Sequence, residues 1–396
     1  MSYKKVKISD IGKIVSGATP KTKDVDNYGG SIAWITPADL SGYTSKYISH
    51  GSRNITQKGY DSCSTHLMPR GTVLFSSRAP IGYVAIAENP ICTNQGFKSI
   101  VPNDDIDSEF LYYQLQYLRK KIQEKGSGTT FKEISGKVLG ETDIVVPSLE
   151  EQSRIVARIE ELFSELDKAV DTLKTTKEQL EVYRQAVLVD IFSQEHPLRQ
   201  LKEISVALSG FAFKSKNYTP DGKYTVIKIG NVKDGYLDFS RDKTRTNEVT
   251  DRILQKYLLK QGDCLITLTG TRGKRDYGFV SMIERQTDYL LNQRVAALRF
   301  DTMIALPEFF RYYLSSLNYR NQFFKYETGN VGQGNVGIKA LCEPAVPCPP
   351  LDTQKKIVEQ ISDRLSVCDS IEKTVDTALA QADAMRQSIL KQAFEA

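Results

Sequence analysis

The chain has 396 residues, 26% of them charged and 40% hydrophobic, and a formal net charge of +5. That length suffices for two or more domains with cores of their own, and no run of 18 apolar residues exists to form a membrane-spanning helix. The start, Met1-Ser-Tyr-Lys-Lys5, has no hydrophobic signal region, so a soluble, cytoplasmic protein is expected. The cysteines (Cys63, Cys92, Cys264, Cys342, Cys348 and Cys368) are scattered without a C-x-x-C pair, which predicts reduced and mostly buried thiols.

Residues 1–146 read as a mixed domain of short strands and loops around one helix. Lys7-Ile-Ser-Asp-Ile-Gly12 opens it. The apolar runs Ile32–Ile35, Val73–Phe75 and Tyr83–Ala87 are punctuated by Gly, Pro and Asn, the pattern of short strands. Phe110, Leu111, Leu115 and Leu118 share one side of a helix predicted over Glu109–Glu124. The turn Gly126-Ser-Gly-Thr-Thr130 ends it, and Ile144-Val-Val-Pro147 reads as a last strand.

From residue 147 to 195 the periodicity changes. Ile159, Leu166, Leu173, Leu180 and Val187 recur every seventh residue, with Ile155, Leu162, Ala169 and Tyr183 on the complementary positions, as on the seam of a coiled coil. No Pro or Gly interrupts the run. Pro147 precedes a Ser148-x-x-Glu151 capping box.

Residues 196–347 repeat the plan of the first domain. Ile11…Ser16-Gly17 corresponds to Ile204…Ser209-Gly210, Arg70-Gly-Thr-Val-Leu74 to Gln261-Gly-Asp-Cys-Leu265, and Asn94-Gln95 to Asn292-Gln293. Glu109-Phe110…Leu115 corresponds to Glu308-Phe309…Leu314, followed by the Gly-rich turn Gly329–Gly337. Residues 348–396 then repeat the helical run without a gap. Pro147-Ser-Leu-Glu-Glu-Gln152 meets Pro349-Pro-Leu-Asp-Thr-Gln354, and Arg184-Gln185 meets Arg386-Gln387, each 202 positions on. The second seam reads Ile361, Cys368, Val375, Ala382 and Ile389, flanked by Ile357, Ile371, Ala378 and Met385, with Asp352 as the expected N-cap. Each run makes a rod of about 65 Å at ~1.5 Å per residue. A single apolar stripe on such a rod needs a cover, and the economical cover is the other rod. The rods are mildly acidic: residues 150–193 hold ten acids and six bases, residues 352–396 eight and six, which leaves +11 on the rest of the chain.

Two domains of about 150 residues, each followed by a helix opening Pro-x-Leu-x-x-Gln-x-x-Ile-Val, resemble the specificity subunit of type I restriction-modification systems. The resemblance covers the whole chain. It implies an α+β fold with a pseudo-two-fold internal repeat: a first target-recognition domain (1–146), a first spacer helix (147–195), a second target-recognition domain (196–347) and a second spacer helix (348–396). It further implies that the helices pack as an antiparallel coiled coil, that each domain reads half of a bipartite site in double-stranded DNA, and that two methyltransferase subunits dock on the chain. S-adenosylmethionine, ATP and Mg are then expected on the methyltransferase and nuclease/translocase partners, with no cofactor on this chain.

The motifs of an enzyme are missing. Gly270-Thr-Arg-Gly-Lys274 is too short for a phosphate loop, and Asn89-Pro90 and Pro349-Pro350 both lack the full Asn/Asp-Pro-Pro-aromatic signature of an amino-methyltransferase. Cys63-x-x-His66 is a lone pair of metal-ligand types, where a closed zinc site takes four. A non-catalytic subunit is expected, and recognition remains. Reading bases takes bidentate Arg, Asn and Gln, with basic and hydroxyl residues on the phosphates. The corresponding loops supply Thr19 and Lys21 against Phe213 and Lys214, Ser77 and Arg78 against Thr271 and Arg272, and Asn94 and Gln95 against Asn292, Gln293 and Arg294. The Gly-rich turns add Thr129 and Thr130 in the first domain and Asn335 in the second. Phe211 and Phe213 are candidate base-step wedges or core, and Trp34 reads as packing. A coiled-coil scaffold without DNA binding and a degenerate DNA-modifying enzyme are the alternatives.

Overall fold

The structure, a computed structural model, describes residues 4–128, 132–330 and 332–395. It divides into two compact units, Met1–Leu173 with Thr377–Ala396 and Lys174–Asp376, so the division falls within both long helices.

The first unit contains β1 (Lys4–Lys7), β2 (Gly12–Ser16), β3 (Tyr47–Ile48), β4 (Val73–Ser77), β5 (Ile81–Ala87), β6 (Lys98–Pro102), the helix α1 (Ser108–Glu124) and β7 (Asp143–Val146). A five-stranded sheet has the order β2-β6-β4-β5-β3, and β1 pairs antiparallel with β7. Helix α1 starts where Asp107 accepts from the N–H groups of Glu109 and Phe110, at 2.8 and 2.9 Å, so a side chain satisfies two otherwise open donors. Its face of Phe110, Leu111, Leu115, Leu118 and Ile122 is buried with Val73, Phe75, Ile86 and Ile100 of the sheet. The long helix α2 (Leu149–Phe192) follows β7, and its first turn is capped by Ser148, whose hydroxyl accepts from the Glu151 N–H at 3.4 Å.

The second unit repeats this layout. Strands β8 (Leu198–Gln200), β9 (Ser205–Ser209), β10 (Cys264–Thr267), β11 (Val280–Met282) and β12 (Val295–Phe300) precede helix α3 (Pro307–Ser315), β13 (Ala345–Pro347) and the long helix α4 (Leu351–Glu395). The sheet order β9-β12-β10-β11 reproduces β2-β6-β4-β5, and β8 pairs with β13 as β1 does with β7. Helix α4 begins two residues earlier than the sequence suggests, at Leu351 instead of after an Asp352 cap. The Pro350 carbonyl accepts from the N–H groups of Thr353 and Gln354, at 2.9 and 3.0 Å, which leaves Asp352 inside the first turn and exposed rather than at the cap. Its carboxylate still complements the positive end of the helix dipole.

Both long helices are built into both cores. In the first unit Val156 and Ile159 of α2 and Leu390 and Phe394 of α4 join the core of α1 and the sheet. Phe394 lies with its ring 5.5 Å from Phe110 and 5.7 Å from Tyr117. In the second unit Val187, Leu188, Ile191 and Phe192 of α2 and Ile357 and Ile361 of α4 do the same. Phe192, the repeat equivalent of Phe394, packs 5.4 Å from Phe309 and 5.1 Å from Tyr313. Removing such a buried aromatic costs about 3–5 kcal/mol, so each rod end is anchored in a domain.

Of the seam residues, Ile159, Leu166, Val187, Ile361, Cys368, Val375 and Ala382 are buried, and Leu173, Leu180 and Ile389 half-buried. Of the expected flanking line, Ile357 is buried and Ile155, Leu162 and Ala378 half-buried, but Ala169, Tyr183, Ile371 and Met385 are exposed. A second, more continuous covered line runs one position along, through Val156, Phe163, Val170, Lys177, Arg184 and Ile191 of α2 and Val358, Leu365, Glu372, Leu379 and Arg386 of α4. Spacings of three and four both point to one helix face, and here charge pairing selects between them. In the second unit Lys177 Nζ lies 2.7 Å from Asp376, and Arg184 lies 2.7 Å from Asp369 and 3.0 Å from Glu372. Seven residues up α2 are met by seven down α4, which makes the pairing antiparallel. In the first unit Arg386 is paired with Asp167 and stacks over the Phe163 ring at 5.2 Å. Charges at seam positions fix register and orientation at some cost in stability.

Candidate nucleic-acid interface

In the first unit the predicted loops are tied together at the ends of β2, β4 and β6. The Ala18 N–H donates to the Thr93 carbonyl at 3.0 Å, and the Trp34 indole N–H donates to the Ala18 carbonyl at 3.1 Å. A Cβ on Gly17 would lie 2.2 Å from the carbonyl oxygens of Thr93 and Asn94, so only glycine lets the two loops touch. Across this contact the Thr19 hydroxyl donates to the Gln95 side-chain oxygen. Asn94 turns inward and accepts from the Gly96 N–H at 2.8 Å. The ladder continues: Ser77 N–H donates to the Gly96 carbonyl at 2.7 Å, and Ile134 N–H donates to the Ser77 carbonyl at 3.0 Å. Arg78 lies 3.7 Å from Glu133, which shares paired backbone bonds with Ser127.

The second unit carries the same ladder with other side chains. The Phe211 N–H donates to the Leu291 carbonyl at 2.9 Å, and Gln293 N–H returns to the Phe211 carbonyl at 3.0 Å. A Cβ on Gly210 would lie 1.9 Å from the Asn292 oxygen, the counterpart of the Gly17 contact. Leu268 N–H donates to Arg294, and Val336 N–H to Leu268, each at 2.9 Å. Leu268 thus does what Ser77 does, between the same two neighbours. Residues Thr269–Gly270 pair with Gly334–Asn335, and the Arg272 guanidinium donates to the Gly329 carbonyl at 2.6 Å. In the second unit, therefore, the arginine after the central strand reaches the Gly-rich turn itself, and in the first it reaches Glu133, the backbone partner of Ser127 in that turn.

The exposed side chains differ between the clusters. In the first, Lys21 and Gln95 are exposed and Thr19, Arg78 and Asn94 half-buried. Ser77 is a correction: it is fully buried at the end of β4 and presents nothing to a ligand, because a strand-end serine here points into the domain. Thr129 and Thr130 lie outside the described residues. In the second, Lys214, Arg272, Gln293 and Arg294 are exposed, while Phe213, Thr271, Asn292 and Asn335 are half-buried. Phe213 is no free wedge, since its ring sits 4.9 Å from Phe211, which in turn lies 5.2 Å from Tyr257.

Two cation groups escaped the sequence reading. Lys274 and Arg275 are exposed beside Arg272, giving three cations in four residues of one turn. That turn is held from within. Asp276 accepts from the Thr271 N–H at 2.7 Å, a bond that holds its carboxyl below the usual range. The Glu327 carboxylate accepts from the buried Tyr277 hydroxyl at 2.9 Å and from Gly273 N–H at 3.4 Å. In the first unit Lys120 and Lys132 line a cleft of about 530 Å³ with Pro80, Ile81 and Gln123, next to Arg78. In the second unit the signal was present as neighbouring Lys and Arg in glycine-rich sequence, whereas Lys120 and Lys132 are brought together only by the fold. Among the described residues no group of three or more His, Cys, Asp and Glu is placed to hold a metal, and no helix is long and apolar enough to cross a membrane.

The model of the type I restriction modification DNA specificity domain matches the chain twice, over residues 2–182 and 195–381. The chain belongs to the type I restriction-modification specificity family. It is similar to the specificity subunit of the MjaIX type I restriction enzyme of Methanocaldococcus jannaschii, 46% identical over 177 residues, which are 44% of this chain and 40% of that protein. Less than half of that relative is therefore spanned. The specificity subunit of the EcoBI enzyme of Escherichia coli aligns over 99% of this chain and 85% of its own length, at 22% identity. Two solved structures share the fold. One, from work on complex assembly and conformational transition of the type I R-M system, matches with a TM-score of 0.73 at 19% identity, covering 99% of this chain and 97% of that one. The other, the HsdS subunit of Thermoanaerobacter tengcongensis, matches with a TM-score of 0.52 at 20% identity, covering 99% and 96%. The two family-model matches fall on the two repeats that carry the loop clusters.

Proposed function

We propose that this member of the specificity family reads an asymmetric, bipartite DNA target, one half-site with each loop cluster, across a gap of fixed length. The observation that carries the reading is one backbone ladder repeated in two units with unlike side chains at its edge: exposed Lys21 and Gln95 with half-buried Thr19 and Arg78 in one, exposed Lys214, Arg272, Gln293 and Arg294 in the other. Equal scaffolds place their loops equivalently, and unequal donors and acceptors select different bases. The long helices act as the spacer that sets the gap. The chain is not a catalyst by itself. Two methyltransferase subunits dock on it and bring S-adenosylmethionine, and nuclease/translocase subunits bring ATP and Mg. Exposed apolar residues on both helices, Val182 and Tyr183 of α2 with Val367 and Ile371 of α4, support a protein partner there.

Inserting one heptad between Leu173 and Lys174 and another between Asp376 and Thr377 tests the spacer role. Seven residues add about 10.5 Å of helix at ~1.5 Å each, which is up to about three base pairs at 3.4 Å per step. The assembled complex is expected to methylate targets with a correspondingly longer gap and unchanged half-sites. An unchanged gap contradicts the proposal.

A further inference from the structure

One residue of the repeated helix opening has no part in the loop clusters or the seam. Gln152 and Gln354, the glutamines of the two Pro-x-Leu-x-x-Gln openings, are both fully buried, unusual for a residue type found mostly at surfaces. The Gln152 amide nitrogen donates to the carbonyls of Asp105 at 2.9 Å and Pro147 at 3.0 Å, and its oxygen accepts from Asp107 N–H at 2.8 Å. The Gln354 nitrogen donates to the carbonyls of Ile304 at 2.9 Å and Pro349 at 2.7 Å, and its oxygen accepts from Leu306 N–H at 2.7 Å. The three bonds of Gln152 recur at Gln354, whose nitrogen also lies 4.0 Å from the Cys348 sulfur.

Each amide therefore joins three pieces of chain: the start of a long helix, the strand end before it, and the segment that enters α1 or α3. Residue 107 is the N-cap of α1. The far end of α1 leads into the turn that holds Ser127, Glu133 and Ile134 of the first loop cluster. A rigid joint at Gln152 thus fixes one end of the element whose other end shapes the reading loops. No other side chain of this length offers two donors and an acceptor from one planar group without charge. A glutamate would set a carboxylate against two carbonyl oxygens. Buried and fully satisfied, such a group rigidifies the segments it joins.

We infer that Gln152 and Gln354 are positioning residues that lock each reading domain to its spacer helix, so that the gap is read sharply. The inference rests on the bipartite reading proposed above. The test uses the full chain assembled with its methyltransferase, and compares methylation rates on duplexes whose gap is the preferred one, one base pair shorter and one longer. Gln152→Met and Gln354→Met keep volume and remove the hydrogen bonds. Leu74→Ala and Leu265→Ala are controls, both fully buried in clusters that contain neither long helix. The glutamine variants are expected to lose gap selectivity roughly tenfold, the factor set by one or two lost hydrogen bonds, with unchanged base preference in each half-site. The leucine controls are expected to lower the melting temperature at least as much while keeping wild-type gap selectivity. Full gap selectivity in the methionine variants, or an equal loss in the leucine controls, overturns the inference. A wild-type complex with no preferred gap overturns the bipartite reading itself, and the inference with it.

Discussion

Lys214 and Lys274 sit on two different loops of the second cluster, and both are exposed. Neutralising them as Lys214→Gln with Lys274→Gln separates phosphate attraction from base reading. Each phosphate contact contributes about 0.9 to the slope of log K against log salt, so two contribute about 1.8. Between ~50 and ~200 mM salt, a fourfold change, wild type then loses roughly twelvefold more affinity than the double variant. Exposed substitutions of this kind change stability by no more than about 0.5 kcal/mol, so folding does not confound the comparison. The assay is a fluorescence-anisotropy titration of the assembled complex on its target at several salt concentrations, repeated on a duplex mutated in each half-site. The expected result is a shallower slope, weaker binding at low salt, and unaltered discrimination between correct and mutated half-sites. A slope identical to wild type refutes the placement of these loops on the phosphates. A slope near zero in wild type would return the chain to a coiled-coil scaffold that does not bind DNA.

Other expectations concern stability. Arg184→Ala removes a guanidinium that is about one-fifth exposed and paired with Asp369 and Glu372. A cost of about 2 kcal/mol is expected, below the 3–5 kcal/mol of a fully buried pair, and an unchanged melting curve would count against a charged seam. Asp39 supplies a pH test. Burial pushes its carboxyl up, but the Ser52 N–H, with help from Thr36, outweighs that and holds it below its ordinary 3.8. A folded-state value lowered in this way contributes stability that is full above the unfolded value and is lost as pH falls through the folded one. Asp39→Asn should therefore be less stable than wild type at neutral pH, with the difference closing in acid; a constant difference from neutral pH into acid contradicts the assignment.

Much of this fold is legible in the sequence because the rods declare themselves. A seven-residue apolar period without Pro or Gly over more than forty residues has one physical reading, and the gapless match between the copies ties their lengths together. Helix α1 is equally plain, since Phe110, Leu111, Leu115 and Leu118 leave one buried face. Part of the flanking seam line was hidden for a reason that lies in charge. Lys177, Arg184, Glu372 and Arg386 look like surface residues one at a time, and only the partner helix turns them into cross-links. Tyr183 and Met385 look like seam residues and point outward. The sequence sets Ser77 against Thr271 as a loop hydroxyl, whereas the backbone ladder sets it against Leu268. A polar residue facing an apolar one at equivalent positions hides the shared backbone role, which lies in the N–H and carbonyl groups rather than in the side chains. The glutamine of each helix opening was visible as a repeated letter, but two of its three hydrogen bonds reach 45 residues or more back along the chain, beyond what local pattern records.

The most direct test of two unlike readers on one spacer is a map of methylated bases in a genome exposed to the methyltransferase with and without this chain. One gapped, asymmetric motif that vanishes when the chain is omitted is the expected result. Methylation that persists unchanged without the chain, or a motif that is continuous or palindromic, would contradict it.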